Sequence, residues 1–262
     1  KFITKNKLVI KFILKIPVFK RLIPSLGIRI LKLFNKNRGY YNINNILFYL
    51  DFLDPVDREI ILNKEYEQDA VNFLEAEMRK NFFSNFLDIG ANSGYYSFYF
   101  AKKFTDLKIQ AFEPNVDAYN KFLKTILKNS FKNIEISNFG LSNINEKIKM
   151  ITWFKHGIAK TNSTILDKSH DTKNSKIFET NLRIGDEVID LSDKKILLKI
   201  DVEGHELSVL DGLKVLLNNN KCTILVEIGD EKFEEVDKYL REKNFKIVFK
   251  SKYRLDYIYS NL

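Results

Sequence analysis

The chain has one cysteine, four prolines and ten glycines in 262 residues. A single thiol excludes a disulfide framework and any paired-cysteine metal or redox motif. It lies in the apolar run Cys222-Thr-Ile-Leu-Val-Glu227, where it reads as a small buried hydrophobe in a reducing compartment rather than a nucleophile. With 45% apolar and 29% charged residues, the chain is neither collagen-like nor disordered, and it is long enough to bury a sizeable core. No stretch approaches the roughly 20 apolar residues of a spanning helix, so no integral membrane segment is expected. The chain begins at Lys1 rather than Met, which leaves room for an upstream segment, a removed signal included.

Acidic residues are missing from one place only. Residues 1–38 contain eleven Lys and Arg and no Asp or Glu, which leaves 32 basic against 34 acidic residues in the rest. The net charge of +9 therefore belongs to an N-terminal arm. Lys7, Lys11 and Lys15 recur every fourth residue with Leu8, Phe12 and Ile16 one position behind, an amphipathic helical pattern interrupted by Pro17 and Pro24. Such an arm packs on the body or on a second copy as a homodimer, or adsorbs to an anionic membrane; nucleic acid is the least favoured partner. The expected address is cytoplasmic, peripheral at the inner face of the membrane if the arm binds lipid.

Two units are expected, a basic arm and connector over 1–65 and a main domain over 66–262. In the connector, 46–50 and 59–62 read as short strands on either side of a turn at Asp54-Pro55. Val71, Leu74, Met78 and Phe82 predict a helix from Glu67. Strand and helix patterns then alternate. Strands are expected at 86–89, 109–112, 134–136, 196–200 and 223–226, and helices at 95–104, from 114 and around Leu207, Leu210, Leu213 and Leu217. A last helix around Phe233–Leu240 precedes a terminal hairpin, 247–249 with 255–259. Residues 155–176, with His156 and His170, read as structureless between strand-like runs at 147–154 and 177–184. This alternation predicts an α/β fold, a mostly parallel sheet with helices on both faces.

Asp88-Ile-Gly90-Ala-Asn92-Ser-Gly94 falls between a strand and a helix, where open α/β sheets bind ligands. Its two glycines permit a tight turn and close approach of a ligand to the backbone. The dinucleotide fingerprint fails, since Asn92 and Tyr95 stand where glycines are needed, and no Gly-Lys-Ser/Thr phosphate loop is present. An acidic residue at the strand end repels a pyrophosphate but suits a ligand bearing an amino group, which favours S-adenosylmethionine over NAD or ATP. Glu113 ends the next strand, 25 residues after Asp88, where a carboxylate can accept bonds from both hydroxyls of a ribose. The fourth core strand ends in Lys199-Ile-Asp201-Val-Glu203-Gly204-His205-Glu206. Asp201 and Glu203 are read as functional groups, and Glu206 as a helix-capping residue.

At these residues the chain resembles the FkbM-like family of S-adenosylmethionine-dependent methyltransferases. The resemblance rests on residues 86–97, Ala111-Phe-Glu-Pro-Asn115, Asn138-Phe-Gly-Leu-Ser142, Leu198–Glu206 and Val226-Glu-Ile228, with Tyr66-Glu67 before the first helix, and spans about residue 60 to the C-terminus. It implies a Rossmann-like class I methyltransferase fold, with a seven-stranded sheet whose last strand is antiparallel. It also implies O-methylation of a hydroxyl on a sugar, a glycan or glycolipid, or a small natural product. Cofactor contacts are implied at Glu67, Asp88, Gly90, Ala91, Asn92, Ser93, Gly94, Glu113, Pro114, Asn138 and Asp201. His205 stands at a position that the motif leaves open, and Arg183-Ile-Gly-Asp186 matches the family's Thr-Leu-Asp stretch only loosely.

Methyl transfer is an in-line displacement that needs an aligned hydroxyl and a proton acceptor. Asp201 or Glu203 is expected to orient the acceptor or take its proton, with His205 third; His156 and His170 read as surface residues rather than lid groups. No metal is expected, because nothing in the spacing makes Asp201, Glu203 and Glu227 converge. The rivals are an RNA methyltransferase, which lacks the Asn/Asp-Pro-Pro-Tyr/Phe motif here, and a non-catalytic scaffold that kept the fold.

Overall fold

The computed structural model describes residues 37–155 and 158–262. The helical reading of the arm, its dimer or lipid contact, and His156 all lie outside the described residues, apart from the arm's last two positions. Arg38 opens β1 (Arg38–Ile43), which pairs antiparallel with β2 (Ile46–Asp51). Asn44 and Asn45 link them with φ of 52° and 65°, the left-handed pair that a two-residue hairpin turn requires and that Asn tolerates.

Residues 59–62, expected as a strand, are helical within α1 (Pro55–Asn63). What read as a turn is the helix start: Asp54 accepts from the Val56 and Asp57 amides, and Pro55 sits where its missing N–H costs nothing. Helix α2 (Gln68–Lys80) buries Val71, Leu74 and Met78 but stops before Phe82, which is 75% exposed.

The central sheet has seven strands. β3 (Asn85–Ile89), β4 (Lys108–Phe112), β5 (Ile134–Ser137), β10 (Lys195–Ile200), β11 (Lys221–Glu227), β12 (Lys246–Lys250) and β13 (Asp256–Ser260) are arranged in the order β12-β13-β11-β10-β3-β4-β5. β5, β4, β3, β10 and β11 run parallel, and the chain's last strand, β13, is antiparallel to both its neighbours. This is the Rossmann-like class I methyltransferase arrangement. Period-two alternation separates two cores: Phe86, Ile109, Leu197 and Leu225 face α2 and α3 (Tyr95–Lys103), whereas Leu87, Leu198, Ile224 and Val226 face the later helices. Those are α6 (Glu206–Gly212), α7 (Lys214–Asn219) and α8 (Phe233–Glu242). The single helix expected through Leu207 and Leu217 is thus two, broken at Leu213.

A second sheet has the order β6-β9-β7-β8; the strand-like runs at 147–154 and 177–184 are its β7 and β9, while β6 and β8 were not expected. It consists of β6 (Gly140–Ser142), β7 (Glu146–Lys155), β8 (Ile158–Ile165) and β9 (Ser175–Ile184), where β9 leads into the short helix α5 (Gly185–Val188). β8 occupies part of the stretch read as structureless. Its polar Lys-Thr-Asn-Ser-Thr sequence hides the strand but suits its place at the sheet edge.

Helix α4 (Val116–Asn129) is rotated from the apolar face that the spacing of Val116, Tyr119, Leu123 and Ile126 predicts. It buries Ala118, Lys121, Phe122 and Thr125, while Val116 is exposed. Lys121 decides this rotation. Its ammonium lies 2.6 Å from Asp57 and 3.5 Å from Asp54, all three buried, which ties α4 to α1. Burial pushes Asp57 up to about 6 despite the facing lysine; burial also opposes the charge on Lys121, but the two aspartates hold it raised. Removing one partner of a buried ion pair strands the others. Lys121→Met is therefore expected to lose about 3–5 kcal/mol in urea unfolding; a loss no larger than that of an exposed lysine, such as Lys128→Met, would refute the assignment.

Candidate active site

A cleft of about 230 Å³ opens where β3, β4 and β10 end, roofed by β7 and β8 of the second sheet. Its first wall is the loop after β3. Gly90 and Gly94 have φ of 76° and 80°, and Asn92 of 49°. A Cβ on Gly90 would fall 1.9 Å from the Asp201 carbonyl oxygen, and one on Gly94 would fall 2.5 Å from the Phe122 ring. Both glycines are thus demanded by close approach as well as by φ. Gly90 and Ala91 both donate to the Phe112 carbonyl, which fixes the loop against β4. Gly94 caps α3 without a side-chain bond; Ser93 and Ala91 are buried.

Glu113, at the end of β4, lines the cleft. Its two carboxylate oxygens accept from the Asn92 amide at 2.8 Å and the Asn115 amide at 2.7 Å. Burial raises it to about 7 even against these two bonds. The carboxylate is thereby aimed before any ligand arrives. Asn138 braces the same corner, donating to the Glu113 and Pro114 carbonyls; Pro114 lines the cleft and Asn138 does not.

Asp201 lines the cleft at the end of β10 and accepts from the buried Lys199 ammonium at 2.9 Å. Burial works against its charge, but Lys199 and a hydrogen bond with Glu227 hold it below the usual carboxylate range. Glu227, at the end of β11, is pushed by burial and by Asp201 up to about 9, so it carries the pair's proton at neutral pH. Glu203 is exposed at the rim with φ of 53°, and its carbonyl accepts from Thr164 of β8. His205 also lines the cleft, its Nε2 lying 2.9 Å from Ser142 Oγ; burial, with Lys232 nearby, lowers its pKa and keeps it neutral at pH 7. Glu206, expected as a helix-capping residue, makes no cap bond to the helix; it accepts from the Gly204 amide before it and so holds the turn that leads into α6.

The family model described as the Methyltransferase FkbM domain matches residues 88–247, more than half of the chain. The chain belongs to the FkbM methyltransferase family. It is 25% identical over 214 residues to "Methyltransferase 1" of Beauveria bassiana (strain ARSEF 2860), a match covering 73% of this chain and 80% of that protein. Among solved structures it resembles a precorrin-6y C5,15-methyltransferase from Geobacter metallireducens (12% identity, TM-score 0.44, 75% of this chain and 88% of that one). It also resembles an rRNA methylase from Streptococcus thermophilus (12% identity, TM-score 0.43, 73% and 92%). The fold rests on the strand order itself, and these two likenesses add nothing to it.

Six of the eleven residues expected to touch a cofactor do not line the cleft of this FkbM chain: Ala91, Ser93, Gly94 and Asn138, which shape the loop and corner beside it, and Asp88 and Glu67. Asp88 does not line the cleft; it is buried under the loop, accepting from Ser97 at 2.6 Å, and burial raises its pKa. Glu67 faces Tyr96 at 2.8 Å and Arg254 at 3.2 Å, behind the cleft wall. Their carboxylates serve the interior, where Lys199 must be neutralised. His170 stacks by Trp153 and bonds to Asp167 on the surface, away from the cleft. Conversely, Tyr66, Glu59 and Arg254 line the cleft. The Arg254 guanidinium lies 4.8 Å from the Tyr66 ring centroid and pairs with Glu59 at 2.8 Å. Only Tyr66 carried a sequence signal, beside Glu67. Among the described residues no helix is long and apolar enough to cross a membrane.

Gly90 gives a direct check. Gly90→Ala is expected to destabilise the fold by about 2–5 kcal/mol through backbone strain and overpacking against Asp201. Gly39→Ala, whose Cβ meets nothing within 4 Å, is the control. Equal denaturation midpoints for the two variants would contradict the close approach of β3 and β10.

Proposed function

We propose that this FkbM protein transfers a methyl group from S-adenosylmethionine to a hydroxyl of a sugar, glycan or other small polar acceptor. The observation that carries this reading is the convergence on one cleft of an aimed carboxylate, Glu113, an ionised carboxylate, Asp201, and a neutral imidazole, His205. The donor set fits the cofactor: a carboxylate at the end of β4 suits ribose hydroxyls, and an acidic cleft favours a cationic ligand over a pyrophosphate. The start of α3, which has no side-chain cap, leaves backbone N–H groups for the ligand to approach.

When bound, S-adenosylmethionine supplies an electrophilic methyl group. The protein's own residues do the rest. Glu113 holds the ribose, with Asn92 and Pro114 beside it. Asp201, kept charged by Lys199, orients the ammonium group or the acceptor hydroxyl. The hydroxyl proton passes to His205, because a carboxylate clamped by a lysine is a weak base whereas a neutral imidazole is matched to neutral pH. Glu203 stands at the rim, where the acceptor enters.

Three measurements test this. Glu113→Ala should weaken binding of the demethylated cofactor at least about tenfold in calorimetry, since each charge-assisted bond contributes about 1.5–3 kcal/mol. His205→Asn should keep that affinity but lower transfer of labelled methyl by about 10²–10⁴-fold. In the unsubstituted protein the rate should fall on the acid side as the imidazole gains a proton, and the variant's residual rate should lack that limb. Unchanged cofactor affinity in Glu113→Ala would sink the ribose assignment. Unchanged turnover in His205→Asn would return the proton to Asp201 or Glu203.

A further inference from the structure

Ser142 sits at the end of β6 with 0% exposure, yet its hydroxyl meets a ring nitrogen of His205, a residue that lines the cleft. Such an approach needs α6 and β6 unusually close. Gly212 supplies it: a Cβ there would lie 1.9 Å from the Ser142 carbonyl oxygen. On the far side of Ser142, its Oγ lies 3.4 Å from Asn143 Oδ1, and Asn143 Nδ2 donates to Asp211 Oδ2 at 3.0 Å.

We propose that Asp211, Asn143 and Ser142 form a directed hydrogen-bond chain that fixes His205 as its Nε2–H tautomer, leaving Nδ1 without a proton. Direction follows from what each group can do. A carboxylate only accepts, so Asp211 obliges Asn143 to present its NH₂ and to turn Oδ1 towards Ser142. An amide oxygen only accepts, so the single Ser142 proton points to Asn143. Ser142 Oγ then has only lone pairs left for the imidazole, and Nε2 must carry the hydrogen. In the opposite arrangement Ser142 would donate to Nε2, and its lone pairs would face those of Asn143 Oδ1.

His205 Nδ1 has no protein partner among the described residues and is the nitrogen left for an acceptor hydroxyl. On proton transfer the hydroxyl O–H bond breaks and an Nδ1–H bond forms, giving an imidazolium whose Nε2–H still donates to Ser142. Lys232, before α8, is the charged group that acts on the ring; Asp201 and Glu203 share its cleft, and Asp211 ends the hydrogen-bond chain. Lys232, which donates to the Gly204 carbonyl, and burial both disfavour a second proton on the resting ring. Ser142, Asn143 and Asp211 are thus positioning residues. Their catalytic consequence rests on the proposed methyl transfer; the tautomer itself does not.

Long-range proton–nitrogen correlation spectra of the ¹⁵N-labelled full chain read that tautomer directly, with His205→Asn assigning the signals. The expected result at neutral pH is His205 protonated at Nε2 alone. Ser142→Ala should give a mixture of tautomers. Asp211→Ala, a half-buried site whose change leaves the core intact, should shift the ratio the same way by freeing Asn143 to flip. An Nδ1–H tautomer in the unsubstituted protein overturns the proposal, as does a tautomer unchanged in both variants. In kinetics, Ser142→Ala should lower kcat about tenfold or more, part of the general-base contribution, with unchanged affinity for the demethylated cofactor and no further loss in the His205→Asn background. Absence of methyl transfer from the unsubstituted protein would strike the function alone, since the spectra decide the chain independently.

Discussion

A lysine inside the central sheet constrains everything around the cleft. Lys199 stands in β10, opposite Asp88 of β3, with a side chain 7% exposed. An ammonium there is tolerable only with opposite charge close by. Burial opposes its charge, but Asp201, Asp88 and Glu67 surround it and raise its pKa. These carboxylates come from three elements: β10 itself, the end of β3 and the start of α2. Neutralising one lysine therefore fixes the depth of β3 against β10, the entry of α2 and the direction of the Asp201 carboxylate at once.

That constraint explains which parts of the site were readable in the sequence. The strand-end motifs were: Gly90, Gly94, Glu113 and Asp201 each act within a few residues of their own strand, so spacing alone locates them. The position of Asp88 and Glu67 outside the cleft lining was not readable, because their proximity in sequence to the ligand loop and to Tyr66 hides their proximity in space to Lys199. Arg254 was not readable at all. It meets Glu67 across 187 residues of chain and Glu59 across 195, and nothing local marks a surface-looking arginine near a terminal hairpin as part of a cleft.

The same distinction holds for the fold. The β/α alternation was legible because apolar period and length decide it, whereas the antiparallel last strand was expected only from the family resemblance. α1 was not, because a four-residue run such as Glu59-Ile-Ile-Leu62 fits strand and helix alike, and only the Asp54 cap with Pro55 breaks the tie. β8 was not, because an edge strand needs no apolar pattern. The face of α4 was not, because a periodicity count treats Lys121 as a solvent residue; two aspartates 64 and 67 residues upstream put it inside.

The proton inventory around Lys199 connects this architecture to chemistry. Among the described residues, Glu67, Asp88, Asp201, Glu227 and Asp256 answer to two cations, Lys199 and Arg254. The surplus is met by protons rather than by unfolding: burial, with neighbouring carboxylates, raises Glu227 to about 9 and Asp256 to about 7, while Asp201 alone stays low beside its lysine. A raised carboxyl favours the folded state below its ordinary pKa, and that contribution is lost as pH climbs through its folded value. In this cluster the loss begins at the ordinary carboxyl pKa and is complete near 7 for Asp256 and near 9 for Glu227. A cation bound beside Asp201 would act in the opposite sense, favouring the charged carboxylates and expelling protons from the pair. Carboxylates outnumber the cations of this cluster, so in the proposed methyl transfer the cleft would favour a cationic ligand, and the proton of an acceptor hydroxyl would fall to the neutral imidazole of His205 rather than to carboxyls already committed to one another.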